Sequence, residues 1–185
     1  MKVYRKRSVS PETVRRHLEP GPIVLVTSSW RGKTNIMTMG WHMMIGFEPA
    51  LVGTYIWDRN HSFDMIRSAK SCVINVPTAD MLDTVVRIGN CSGEDTDKFE
   101  LFGLSARKAA RVSAPTIAQC YASFECRLHD VAMIDDYSLF IWEVVAAHVS
   151  PSPKNPHTIH YRGDGEFMLG GEAVSRRAMF DPDKL

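Results

Sequence analysis

Asn35-Ile36-Met37-Thr38-Met39-Gly40-Trp41-His42-Met43-Met44-Ile45-Gly46-Phe47-Glu48-Pro49 decides how the rest of this 185-residue chain is read. The run is too apolar for a surface loop and too polar for a plain core strand. Asn35, Thr38 and His42 carry hydrogen-bonding side chains, and Gly40 lets a second group approach the backbone. Trp41 and the methionines offer a broad, polarizable surface. Two readings are open from these residues alone. One is a buried strand with a few satisfied polar groups. The other is a segment that holds a flat heteroaromatic ring, with apolar contacts on its faces and hydrogen bonds at its rim.

The flanks make the stretch a return strand. Residues 23–29 are β-rich, and Trp30-Arg31-Gly32-Lys33 reads as a hairpin turn. Glu48-Pro49 breaks the return strand, and residues 51–57 form a third. Upstream, Ser10-Pro11 opens a short helix that Pro20-Gly21-Pro22 ends. Downstream, Ser62 is placed to cap a helix over 63–70, and residues 72–77 form a strand. The spacing predicts a helix over 79–89 with Leu82, Val85 and Val86 on its inner side. Residues 121–129 alternate: Ala122, Phe124, Cys126 and Leu128 face one way, and Tyr121, Ser123, Glu125, Arg127 and His129 the other. Asp135-Asp136 makes a turn before a long apolar strand over 139–149. A last hairpin, 159–162 with 166–169, turns over Gly163-Asp164-Gly165. The tail from Glu172 is polar, and lies loose or on a partner subunit. Many short strands, turn signals and a few short helices predict a mainly β fold: a single-domain β-barrel with helices inserted.

Composition bounds the function. Hydrophobic residues make up 44% and charged residues 23%, with a formal net charge of +1. That balance gives no reason to expect nucleic acid or an acidic membrane surface as partner. The basic start (Lys2, Arg5, Lys6, Arg7) leads into no apolar segment of a secretory signal, and no run is long enough to span a membrane. Cys72, Cys91, Cys120 and Cys126 form no C-x-x-C pair, which fits reduced thiols in a cytoplasmic protein. The seven histidines form neither H-x-x-x-H nor H-E-x-x-H, so no protein-held metal is expected.

Two polar turns carry anion-binding chemistry. Arg59-Asn60-His61-Ser62 precedes a helix, where backbone N–H groups, a hydroxyl and a guanidinium together suit a phosphate. A capped surface helix with an incidental arginine is the plainer alternative. In Cys91-Ser92-Gly93-Glu94-Asp95-Thr96-Asp97-Lys98-Phe99, Ser92 and Gly93 offer a hydroxyl and an accessible N–H. Lys98 adds charge and Phe99 a ring face; taken alone, the turn also reads as a solvated acidic loop. It lacks EF-hand spacing, and no G-x-S-x-G elbow supports a serine hydrolase.

The ordered series is more specific than its parts. Asn35-x-x-Thr38, Glu48-Pro49, Arg59-x-His61-Ser62 and Cys72-Val73-Ile74-Asn75-Val76-Pro77 come first. Ser92-Gly93-x-Asp95-x-Asp97-Lys98-Phe99, Gly103-Leu104, Ala114-Pro115-x-Ile117 and Phe124-Glu125-Cys126-Arg127-Leu128 follow. From about Gly21 to Gly170 the chain resembles the flavin reductase-like family with an FMN-binding split barrel, closest to flavoredoxin and the reductase components of two-component monooxygenases. The resemblance implies a homodimer that binds FMN near the subunit interface. Asn35, Thr38, Met39, Gly40, Trp41 and His42 would line the isoalloxazine edge; Arg59, His61 and Ser62 would take the phosphate. Ser92, Gly93 and Lys98 would hold the ribityl-phosphate end, with Phe99 beside them. NAD(P)H would be the co-substrate, and free flavin, a ferric complex, or an electron-acceptor or monooxygenase partner the outlet. Many members carry Gly-Asp-His where this chain has Asp135-Asp136-Tyr137, so Tyr137 stands where a histidine is expected beside the nicotinamide. His42 and His160 are the other groups expected near it. Trp142 replaces a small glycine, which implies a narrower pocket.

Overall fold

The computed structural model describes residues 1–14, 21–179 and 181. The expected end of the first helix at Pro20 therefore lies outside the described residues; its start is a 3-10 turn, Pro11–Val14.

Strands β1 (Arg7–Val9), β2 (Val24–Trp30), β3 (Lys33–Met39), β4 (His42–Gly46), β5 (Leu51–Tyr55) and β6 (Ser71–Val76) fill the first half. They are followed by β7 (Ala106–Arg107), β8 (Thr116–Ile117), β9 (Ala122–Asp130), β10 (Leu139–Val149), β11 (Ile159–Gly163) and β12 (Glu166–Leu169). The main sheet is antiparallel in the order β3-β2-β6-β9-β10-β5-β4, with β1 added on β10. Its two edge strands, β3 and β4, are neighbours in sequence. The sheet must therefore curl until its edges meet, which makes it a barrel, split where β3 hands over to β4.

That handover corrects the reading of the opening stretch. It is not one return strand but two, broken at Gly40-Trp41. The first half pairs with β2 across a turn in which Arg31 (φ 50°) and Gly32 (φ 79°) both adopt left-handed backbone, as a two-residue hairpin requires. The second half pairs with β5, and the Tyr55 N–H donates to the Trp41 carbonyl at 3.0 Å to seal the corner.

The barrel interior is a large apolar cluster that includes Val24, Val26, Val52, Ile74, Phe124, Phe140 and Trp142. Trp142 lies fully buried there, stacked on Phe140 at 5.5 Å, and its Nε1 donates to Thr54 Oγ1 at 2.8 Å. It fills core, not a ligand pocket. A second cluster, under the helix Leu82–Gly89, gathers Met81, Val85, Ile88, Phe99 and Phe102. The inner face of that helix is Val85 and Ile88, whereas Val86 is exposed, because residues 79–81 form a 3-10 turn and rotate the helix that follows.

In β9 the first half of the expected polar face is buried as well, whereas Arg127 and His129 are exposed. Ser123 and Glu125 are fully covered, because residues 105–117 fold back over that side of the sheet. The expected turn at Asp135-Asp136 is a one-turn helix, Ile134–Tyr137. The last hairpin forms as read, with Gly163, Asp164 and Gly165 all at positive φ. No described helix is long and apolar enough to cross a membrane.

Candidate functional site

The two polar turns come together over the outer end of β3. The helix His61–Ala69 packs against β2 and β3 on one side, and the turn after Leu82–Gly89 closes from the other. Between them is a cavity of about 350 Å3, lined by Asn35, Thr38, Arg59, His61, Ser62, Ser92, Gly93 and Lys98. Eight residues singled out in the sequence thus share one site. Met37, Asn60, Gly89 and Asn90 also line it and carried no signal of their own.

The chemistry of the wall is that of an anion cradle. Asn60 stands at the N-cap of the nine-residue helix; its side chain makes no cap hydrogen bond, and the Phe63 N–H donates to the Asn60 carbonyl at 2.8 Å. Asn60, His61 and Ser62 bring the N-terminal, positive end of the helix dipole to the cavity wall. Ser62 does not cap the helix as expected. It is buried in the first turn, where its Oγ accepts a 2.8 Å hydrogen bond from Asn35 Nδ2. The other end of that amide, Asn35 Oδ1, is buried without a partner. It points at Gly93, where a Cβ would overlap it. A glycine is therefore required for the turn to close on β3.

Lys98 supports the floor. It is buried, and its Nζ donates to the Ile36 carbonyl at 2.9 Å and the Ile88 carbonyl at 3.1 Å. Burial lowers its pKa from the ordinary lysine value. Its helix is fixed by Asp97, whose Oδ1 accepts from the N–H groups of Phe99 (2.9 Å) and Glu100 (3.1 Å). Arg59 stays exposed at the rim, its guanidinium 5.5 Å over the Trp57 ring.

The remaining expected site residues lie elsewhere. Met39 is buried in the barrel core, and Phe99 in the second cluster. Gly40 and Trp41 form the corner, where Trp41 packs on Tyr55 at 5.1 Å. His42 Nε2 donates to the Pro22 carbonyl at 2.6 Å, and its Nδ1 is buried without a partner. Burial lowers the His42 pKa. Tyr137 is exposed on its one-turn helix. His160, bonded to Thr158 Oγ1 at 2.8 Å, lines a separate cavity of about 700 Å3 beside β1 and the 150–156 loop. That space is the larger one, yet among the described residues its lining holds no α-helix N-terminus and no buried polar atom without a partner. The smaller cavity has both.

Comparison with known proteins agrees with the fold and with the motif order. An FMN-binding domain of a flavin reductases-like enzyme from Shewanella baltica is 25% identical and superposes with a TM-score of 0.86, covering 95% of this chain and 99% of that one. Flavoredoxin of Desulfovibrio vulgaris shares the fold at 21% identity and a TM-score of 0.76, over 85% and 90% of the two chains. An uncharacterized protein from Archaeoglobus fulgidus is 31% identical over 113 residues, which is 61% of this chain and 64% of that protein, a little under two thirds of its length. Residues 15–166 match the flavin reductase like domain, and the chain belongs to that family.

Proposed function

We propose that this protein binds FMN in the cavity between Asn35, Ser62 and Gly93, takes reducing equivalents from NAD(P)H, and passes them to free flavin, a ferric complex or a partner protein. The observation that carries the proposal is the cradle itself. An N-terminal helix turn without a side-chain cap, a rim guanidinium, a buried hydroxyl and an orphaned amide oxygen converge on one space. This donor set fits a phosphorylated flavin. Arg59, Ser62 and the first-turn N–H groups suit the dianionic phosphate. Asn35 Oδ1 is an acceptor that a ribityl hydroxyl or a ring N–H would satisfy. Lys98 adds positive charge at the floor, with one N–H not used by the backbone carbonyls.

When bound, FMN supplies hydride uptake and onward electron transfer. The protein's own part is to bind, orient and cover. Thr38 holds its wall position through a 2.7 Å bond from Oγ1 to the Val85 carbonyl. No side chain is assigned as acid or base.

A cavity of 350 Å3 is small for a whole flavin nucleotide and is open to the surface. Completion by a second copy of the chain is therefore part of the proposal. β4 is an edge strand whose outward residues, Met43 and Ile45, are exposed and apolar, with Trp41 and Phe47 beside them. Such an edge is a natural homodimer surface. A cytoplasmic setting fits the four unpaired cysteines.

The exposed Tyr137 favours a second reading, a flavoredoxin-like carrier that keeps FMN bound and is reduced by a protein partner. A steady-state assay with NADH or NADPH, and free FMN as acceptor, separates the two. Turnover supports the reductase. Bound flavin that only a partner reduces supports the carrier.

A further inference from the structure

We propose that the cleft between the N-terminal strand and the β7–β8 ribbon is a second ligand site, which takes a small doubly charged oxyanion on Lys6, Arg107 and Lys108. The cleft encloses about 190 Å3 and shares no lining residue with the flavin cavity. Its volume suits a phosphate-sized ion and is too small for a nucleotide.

The site is built rather than incidental. The N-terminal strap is pinned by a 3.1 Å bond from the Tyr4 N–H to the Ala118 carbonyl and by the pairing of Arg7 with Val149. This carries Lys6 inward, where its Nζ donates to the Ile117 carbonyl at 2.6 Å and to Ser123 Oγ at 2.8 Å. Ser123 Oγ in turn donates to Asn75 Oδ1 at 2.7 Å, so the acceptors around the ammonium are neutral and themselves ordered. Two of the three ammonium protons are used and one remains.

Charge in the cleft is unbalanced. Among the described residues, Lys6, Arg107 and Lys108 make no ion pair. The one carboxylate in the lining, Glu125, is occupied. It accepts from the N–H groups of Ala110 (2.9 Å) and Arg111 (2.6 Å), and its Oε1 lies 3.2 Å from His148 Nε2. Three cations against one engaged carboxylate leave an excess of positive charge. Burial, with a smaller contribution from Arg107, pulls the Lys6 pKa down to about 8, partly opposed by Cys120. A half-buried ammonium without a counter-ion is costly, and an anion in the cleft reduces that cost.

The test is calorimetric titration of inorganic phosphate, at fixed ionic strength, into full-length protein carrying Arg59→Ala. That background weakens any phosphate binding at the flavin cavity, so the outcome does not depend on the flavin assignment. Phosphate should bind this protein with a Kd on the order of 1 mM or tighter. Adding Arg107→Gln and Lys108→Gln, both at the exposed rim, should weaken it about 10-fold or more without moving the melting temperature measured in the absence of phosphate. Lys6→Met should abolish binding; if that variant does not fold, the rim pair still decides. No phosphate binding in the Arg59→Ala protein, or binding that the rim substitutions leave unchanged, overturns the proposal.

Discussion

Gly93→Ala isolates a close backbone approach in the proposed flavin cavity. A methyl group there would overlap Asn35 Oδ1 and Cγ and sit 2.8 Å from Nδ2. Asn35 is buried in β3, so its side chain has little room to retreat. Relief comes in one of two ways. Asn35 can turn and give up its 2.8 Å bond to Ser62 Oγ, or the 90–97 turn can move off the strand. A lost buried hydrogen bond costs about 1 kcal/mol, and forced overpacking about 1–3 kcal/mol. Either path also displaces groups that would hold FMN. The expected result is an FMN Kd raised about 10- to 100-fold, equivalent to roughly 1.4–2.8 kcal/mol, with a lower melting temperature. Flavin fluorescence titration and a thermal melt measure both. Gly171→Ala, where an added methyl meets nothing within 4 Å, is the control. Wild-type FMN affinity and melting temperature in Gly93→Ala would refute the cradle geometry.

Four further outcomes follow from the structure. Arg59→Ala should weaken FMN binding by about 1.5–3 kcal/mol, the scale of a hydrogen bond to a charged group, and leave riboflavin binding nearly unchanged; equal losses for both ligands would remove Arg59 from the phosphate end. His42 is half-buried with a lowered pKa, so the unfolded chain takes up its proton first. Its contribution to stability is present above about pH 6.5 and declines as pH falls through that unfolded value, which urea midpoints of wild type and His42→Gln between about pH 5 and 8 would show as a difference that changes with pH. Ile45→Lys on the exposed edge of β4 should shift sedimentation from dimer to monomer; a wild-type monomer at micromolar concentration would count against the interface. Tyr137→His should speed NAD(P)H bleaching of bound flavin in stopped flow and add an inflection near the histidine pKa, whereas a fast wild type that already shows that inflection would assign the work to another group.

Local chemistry was legible in this sequence wherever it is set by neighbours along the chain. The Arg31-Gly32 turn, the long strand β10 and the two polar turns all form where composition places them. What was not legible depends on partners far away. The stretch 35–47 keeps its mix of apolar and polar residues on both sides of Gly40, and nothing local marks Gly40 as the point where the chain leaves β2 for β5. Ser62 has the spacing of a helix cap, and only the arrival of Asn35, 27 positions earlier, turns it to another use. The alternation in β9 separates a polar face from an apolar one, but the 105–117 segment covers the first half of the polar face, so Glu125 is buried against backbone N–H groups that no pattern announces. The site divided along the same line. Residues in the two turns converge, whereas Met39 and Phe99, whose apolar character suits a ring face and a core equally, lie in the core clusters.

The central claim is that this cavity holds FMN. Its most direct test is the absorption spectrum of the purified full-length protein before and after addition of FMN, with mass identification of any flavin released on denaturation. The account predicts a protein-bound flavin band, FMN as the released species, and loss of that band in protein carrying both Arg59→Ala and Gly93→Ala. A colourless protein that stays colourless after FMN is added, or a band that survives both substitutions at wild-type affinity, would contradict it.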